Sequence, residues 1–150
     1  MRRKTIYLMV VLLVSSVDGV SQSATKRAPT GTLPRVVATV RLFHQTGPIS
    51  PTKIFTPEKW GVYRLSAVGV VTAAAGDGYW GGGFQWTDGA GNESTACLTM
   101  FTLFTGSYSC NSFAFRDLSG KPLTYSVNQN GDTSGSKYNL FIVVEELMQP

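Results

Sequence analysis

Charge is scarce in this sequence. Asp, Glu, Lys and Arg together make up 15% of it, well below the usual quarter. Glu and Lys, which normally fill helix surfaces, are few, and no apolar period of 3.6 runs through the chain, which excludes a helix bundle. There is one histidine, His44, and there are two cysteines, Cys97 and Cys110. That set does not make a four-ligand zinc site without carboxylates from elsewhere, and without a C-x-x-C pair it offers no redox chemistry. Beyond the first residues no apolar run is long enough to cross a membrane as a helix.

What is present begins with a leader pattern. Arg2-Arg3-Lys4 is followed by nine apolar or aromatic residues, Ile6 to Val14, and then by small and polar residues ending Ser21-Gln22-Ser23-Ala24. This is the charge, apolar core and small-residue cleavage order of a secretory signal peptide, expected to span residues 1–23. An uncleaved anchor is the alternative. Nine residues rise only about 14 Å as a helix, however, against roughly 30 Å of hydrocarbon, and Asp18 and Gln22 interrupt an extension. The expected location is secreted or periplasmic, with no membrane span after cleavage. Without Arg2, Arg3, Lys4 and Asp18, the 13 basic and 9 acidic residues become 10 and 8. The only remaining basic pair is Lys26-Arg27, so no nucleic-acid footprint is indicated.

An even cysteine count in an oxidising compartment makes a Cys97–Cys110 disulfide the default reading, with two free thiols in neighbouring strands as the alternative. Closing such a loop stabilises a fold by roughly 3 kcal/mol in the chain-entropy account.

After a polar, flexible lead-in over 24–34, the domain is expected to fill 35–150. Arg35 to Phe43, Gly61 to Ala74, Gly82 to Thr87, Ser94 to Phe104, Ser112 to Arg116, Leu123 to Asn128 and Tyr138 to Leu147 read as strands, with a short edge strand at Ile54 and Phe55. Gly-, Pro- and Asn-rich breaks separate them, including the hairpin signal Asp88-Gly89-Ala90-Gly91-Asn92. Short strands at this spacing predict an all-β antiparallel β-sandwich of the jelly-roll type. One pattern departs from simple alternation. Phe141-Ile142-Val143-Val144 is apolar on both faces, and Val62, Val68 and Val70 lie opposite Tyr63 and Leu65. Either loops cover the second face, or an oligomer buries it.

Phe55-Thr56-Pro57-Glu58-Lys59-Trp60-Gly61-Val62-Tyr63 resembles the F-x-P-x-x-x-G-x-Y run into the long strand of C1q/TNF-like jelly rolls. Gly120-Lys121-Pro122-Leu123 resembles their turn into the penultimate strand, with Lys-Pro replacing Asp. Gly135-Ser136-Lys137-Tyr138-Asn139-Leu140-Phe141 resembles their last strand without its inner glycine. The likeness spans roughly residues 35–147 and extends to short exported bacterial proteins that carry such a domain. It implies a homotrimeric binding head with no catalysis and no cofactor. No Gly-X-Y stalk accompanies it here.

A hydrolase needs a nucleophile, a base and an orienting group. His44 stands alone beside a Gly-Pro break, G-x-S-x-G is absent, and no acid pair is marked by spacing, so no catalytic residue is expected. Asp88, Asn92 and Glu93 put three oxygen ligands in one turn, but without the D-x-[DN]-x-[DN]-G order, and hairpin chemistry accounts for them. Asn92-Glu93-Ser94 also fits a glycosylation acceptor. In Tyr79-Trp80-Gly81-Gly82-Gly83-Phe84-Gln85-Trp86, Phe84 and Trp86 are expected in the core, and Tyr79 and Trp80, read as loop, are the expected ligand-contact residues. The sequence thus predicts an exported, non-enzymatic binding or structural module that self-associates and engages a protein or glycan. A carbohydrate-binding module is the alternative, and a small hydrolase the least supported reading.

Overall fold

β-branched and aromatic residues at every second position set the strands, and the turns between them set the way they fold over. The structure, a computed structural model, describes residues 33–148. The leader expected over 1–23 and nearly all of the expected lead-in lie outside these residues. The described chain forms β1 (Arg35–Gln45), β2 (Ile49–Phe55), β3 (Gly61–Ala73), β4 (Tyr79–Asp88), β5 (Gly91–Phe101), β6 (Gly106–Asp117), β7 (Leu123–Asn130) and β8 (Lys137–Met148), with no helix among them. No described helix is therefore long and apolar enough to cross a membrane.

Two four-stranded antiparallel sheets result, in the orders β1-β8-β3-β6 and β2-β7-β4-β5. β1 pairs with β8, β2 with β7, β3 with β6 and β4 with β5. This is one long antiparallel ribbon doubled back at the β4–β5 hairpin and rolled up, the connectivity of an eight-stranded jelly roll. The expected fold class is what forms.

The core lies between the sheets. Tyr63, Leu65, Ala67 and Val71 of β3 and Tyr138, Leu140, Ile142 and Val144 of β8 face Trp80 and Phe84 of β4, Leu98 and Met100 of β5, and Leu123, Tyr125 and Val127 of β7. Gly69 faces the opposite sheet at close range, and a Cβ there would overlap the Met100 sulfur and crowd Leu98. Gly61 has a related role. A Cβ would stand 3.1 Å from the Tyr63 hydroxyl and 3.2 Å from its ring, whose edge meets Phe55 at 5.2 Å between centroids. The G-x-Y spacing therefore has a packing cause. Cys97 in β5 and Cys110 in β6 are joined, with Cα atoms 5.2 Å apart. The bond links the edge strands of the two sheets, at an irregularity in each ladder.

Most strand ends shift by one to three residues from the sequence reading, β5 running over Gly91–Phe101 rather than Ser94 to Phe104, and three differences have a clear cause. β4 begins at Tyr79, three residues before the expected Gly82, because Tyr79 to Gly81 pair with Thr99 to Phe101 on one side and Asn128 to Asn130 on the other. β6 begins at Gly106, where a polar run without apolar alternation is held by pairing with Val68 to Val71. β2 is a seven-residue strand containing Pro51, tolerated because β2 is an edge strand with register shifts.

Asp117, at the end of β6, is 1% exposed. Its Oδ1 accepts the Thr87 N–H at 3.4 Å, while Oδ2 has no partner. Burial pushes its pKa from 3.8 up to about 6.

Two outcomes are expected in urea denaturation. Gly69→Ala should destabilise the fold by about 1–3 kcal/mol through overpacking against Met100. Asp117 keeps its proton in the fold at pH values where the unfolded chain has lost it. Its contribution is therefore full below about pH 4, declines as pH rises to about 6 and is flat above. Between pH 4 and pH 7, the stability of Asp117→Asn relative to the wild type should move in the variant's favour by on the order of 2 kcal/mol.

Candidate functional site

Alternation along β4 decides what its aromatic-glycine run presents. Trp80, Gly82 and Phe84 point inward, so Tyr79, Gly81, Gly83 and Gln85 lie on the outer face of the β2-β7-β4-β5 sheet. On either side stand the outward residues of the neighbouring strands. Thr99, Ala96, Ser94 and Asn92 come from β5, and Asn130, Asn128, Ser126 and Thr124 from β7. With no side chain at Gly81 or Gly83, the middle of the sheet is lower than its flanks. A depression of about 340 Å³ lies over Tyr79, Gly81, Gly83, Thr99, Asn128 and Asn130. A second, of about 450 Å³, continues along β4 over Gln85, Thr87, Asn92, Ser94 and Thr124, bordered by Trp86, Glu93 and Lys121. Together they follow β4 from Tyr79 to Thr87, about 26 Å at strand rise. The walls carry hydroxyl and amide groups, the Tyr79 ring stands at one end, and the single Glu93 and Lys121 stand at the other.

The sequence-level candidates separate here. Tyr79 is half-buried on the trough, with its ring 6.1 Å from that of Phe101. Trp80 is 0% exposed and makes no surface contact. Its Nε1–H donates to Ser136 Oγ at 3.2 Å and its ring packs 5.1 Å from Tyr138. The expectation that Trp80 meets a ligand is corrected, since the residue lies in a strand rather than a loop and its neighbour takes the outward position. Phe84 is in the core, and Trp86 packs at its margin on Phe113 and Phe115.

Asn92 and Glu93 line the far end of the trough. Asp88 serves the hairpin, its Oδ1 accepting the N–H groups of Ala90 at 2.7 Å and Gly91 at 3.3 Å. Asn92 Oδ1 accepts the Thr87 hydroxyl at 2.9 Å. The three are thus committed to turn geometry or spread along the strand, and no group of three or more His, Cys, Asp or Glu among the described residues is arranged to hold a metal ion. Asp132 likewise caps its own loop, and the Ser134 N–H holds its carboxyl below the usual range.

A third depression, of about 300 Å³, lies near the start of β1 and is lined by Arg35, Phe55, Glu58, Lys59, Tyr63 and Glu146. Arg35 and Glu146 are paired at 2.8 Å. His44, with φ 55°, lies nine residues further along β1, about 30 Å away, and its backbone N–H is bound by Asn139. The histidine and these acids do not meet.

Asn128, Asn130, Thr99, Gly81 and Gly83 were not singled out from the sequence. A signal existed. Leu123, Tyr125 and Val127 alternate cleanly, which turns Thr124, Ser126 and Asn128 outward, and two glycines spaced by two must share a face.

No protein-family model matches this sequence, and no curated protein does. Among solved structures, the chain is similar to the Clostridium thermocellum N-terminal endo-1,4-beta-D-xylanase 10B, its CBM22-1–GH10 modules in complex with xylohexaose. Identity is 6%, the TM-score is 0.36, and the match covers 81% of this chain and 25% of that one. The chain therefore spans about a quarter of that protein, and a likeness at this level carries no argument about its function. What stands is the coarser result, an all-β sandwich.

Proposed function

We propose that the chain is a non-enzymatic binding module, secreted or periplasmic, whose ligand is a neutral glycan lying along the β4 trough. The observation that carries this reading is the lining. A polyol presents many donors and acceptors and no charge, and the trough offers Thr, Ser, Asn and Gln side chains on both sides of a glycine floor. An aromatic ring at one end gives an apolar face for a sugar ring. The leader pattern and the Cys97–Cys110 bond fit an oxidising compartment.

A second reading concerns self-association. The outer face of the other sheet carries an apolar patch set among polar and charged residues, with Arg41 opposite Phe141 in the pairing of β1 with β8. Phe43 is more than half exposed, Val68 is exposed, and Phe141, Val70 and Val143 are half-buried around them. Phe43 and Phe141 meet edge to face at 5.6 Å, and the Arg64–Glu145 pair borders the patch. A C1q/TNF-like head would assemble as a homotrimer, and this face supplies the area.

Binding is tested on an array of neutral glycans, followed by titration of any hit. A Cβ at Gly83 meets nothing nearer than 3.5 Å, so Gly83→Leu should leave the unfolding midpoint unchanged and abolish binding by filling the trough. Tyr79→Ala should weaken binding about tenfold, the equivalent of 1.4 kcal/mol. Silence across the array, or a Gly83→Leu variant that binds as well as the wild type, removes the glycan reading. For self-association, light scattering should show an oligomer that Val68→Asp reduces to monomer. A wild type that is monomeric at micromolar concentration would refute it.

A further inference from the structure

The connection between β5 and β6 is apolar where a loop is normally polar. Phe101 is 45% exposed, and Leu103 and Phe104 are each 59% exposed. Thr102 between them is fully buried, its N–H and hydroxyl both reaching the Gly78 carbonyl, at 3.0 and 2.8 Å. Gly78 N–H in turn donates to the Asp132 carbonyl at 2.7 Å. Any Cβ at Gly76 or Gly78 would collide with the backbone of residues 130–132. The three loops are thus locked together, and the exposure of Leu103 and Phe104 is held by the fold.

The surroundings are unusual as well. From Ser94 to Phe115, 22 residues, the chain carries no charged side chain and no proline, although β5 and β6 are edge strands with outward positions. Edge strands are ordinarily guarded by charge or proline, as at the opposite side of the sandwich, where β1 and β2 carry Arg35, Arg41, Pro51 and Lys53. Behind the tip, the rings of Tyr79 and Tyr108 flank Phe101 at 6.1 and 6.3 Å, and the Tyr108 hydroxyl reaches the Phe101 carbonyl at 3.2 Å.

We propose that the Phe101–Phe104 tip inserts into the surface of an electrically neutral lipid bilayer. A protein partner normally meets an apolar centre with a charged or strongly polar rim, whereas a bilayer penalises every charge carried into it. The adjoining stretches of β5 and β6, which put only uncharged Ser, Thr and Tyr beside the three apolar side chains, suit the second environment, and tyrosine is enriched at headgroup depth. Asp77 and Asp132, on the loops locked to the tip, together with Lys137, give no basic patch for anionic lipid. Three partly exposed side chains make a reversible, peripheral attachment. This inference shares Tyr79 with the trough but does not rest on glycan binding.

Sedimentation of the protein with phosphatidylcholine vesicles, and separately with phosphatidylserine-rich vesicles, tests it. Binding to phosphatidylcholine is expected, with no gain from phosphatidylserine. The exposed pair substitution Leu103→Asp with Phe104→Asp should lower partitioning at least tenfold without moving the unfolding midpoint. Brominated phosphatidylcholine should quench the tryptophan introduced by Phe104→Trp. A protein that stays in the supernatant with both vesicle types overturns the proposal. So does binding that requires phosphatidylserine, or the pair variant sedimenting like the wild type. Loss of an oligomer in the pair variant, with no vesicle binding by the wild type, would assign the tip to a contact between copies and overturn it equally.

Discussion

Trp80 goes inward, and much of the molecule's surface follows from that. The indole fills the space beside Tyr138, and its one polar atom, Nε1, is satisfied by Ser136 Oγ, which itself donates to the Thr133 carbonyl at 2.6 Å. A buried N–H without that partner would carry a desolvation penalty of about 1–3 kcal/mol. With Trp80 held in, strand alternation leaves no choice for its neighbours. Tyr79, Gly81 and Gly83 must face out, and a sheet with two glycines on its outer central row must have a lowered middle. The same hydrogen-bonded end of the sandwich, through Gly78, Thr102 and Asp132, fixes the β5–β6 connection. Core packing and surface shape are one decision here.

The surfaces that result differ in chemistry. One sheet presents a polar, glycine-floored trough. The other presents a patch of phenylalanine and valine among charged and polar residues. The β1–β2 side is guarded by charge and proline, and the β5–β6 side carries neither from Ser94 to Phe115. The last of these contrasts is visible as a plain run in the sequence, and the apolar patch is announced there by Phe141 to Val144. The trough arises because rolling the ribbon up brings Thr99, Gly81 and Asn128 into one row, though they come from three separate strands.

The fold was legible because its causes are local. Tyr63, Leu65, Ala67, Gly69 and Val71 alternate so regularly that β3 is readable without neighbours, as are Leu123, Tyr125 and Val127. β6 was not readable in its first half. Gly106-Ser107-Tyr108-Ser109 has no apolar alternation of its own, and it is strand because β3 offers it hydrogen bonds. The start of β4 failed for a related reason, since three successive glycines weaken any local strand preference and only pairing on both sides extends the strand to Tyr79. Trp80 was misplaced with it. Once the strand boundary moves by three residues, an aromatic read as a loop contact becomes the centre of the core.

By itself the sequence determined the class, the strand rhythm, the poverty of charge and the available disulfide partners, since composition and a two-residue period act within one segment. Tertiary structure alone decided that Cys97 meets Cys110, that Asp117 is buried with one oxygen unpartnered, and that Gly69 makes room for Met100. It also decided which outward residues become a trough, which become an apolar face and which become a tip. Those are relations between strands far apart in the chain, and they exist only once the ladder that pairs β1 with β8 and β4 with β5 has chosen each residue's neighbours.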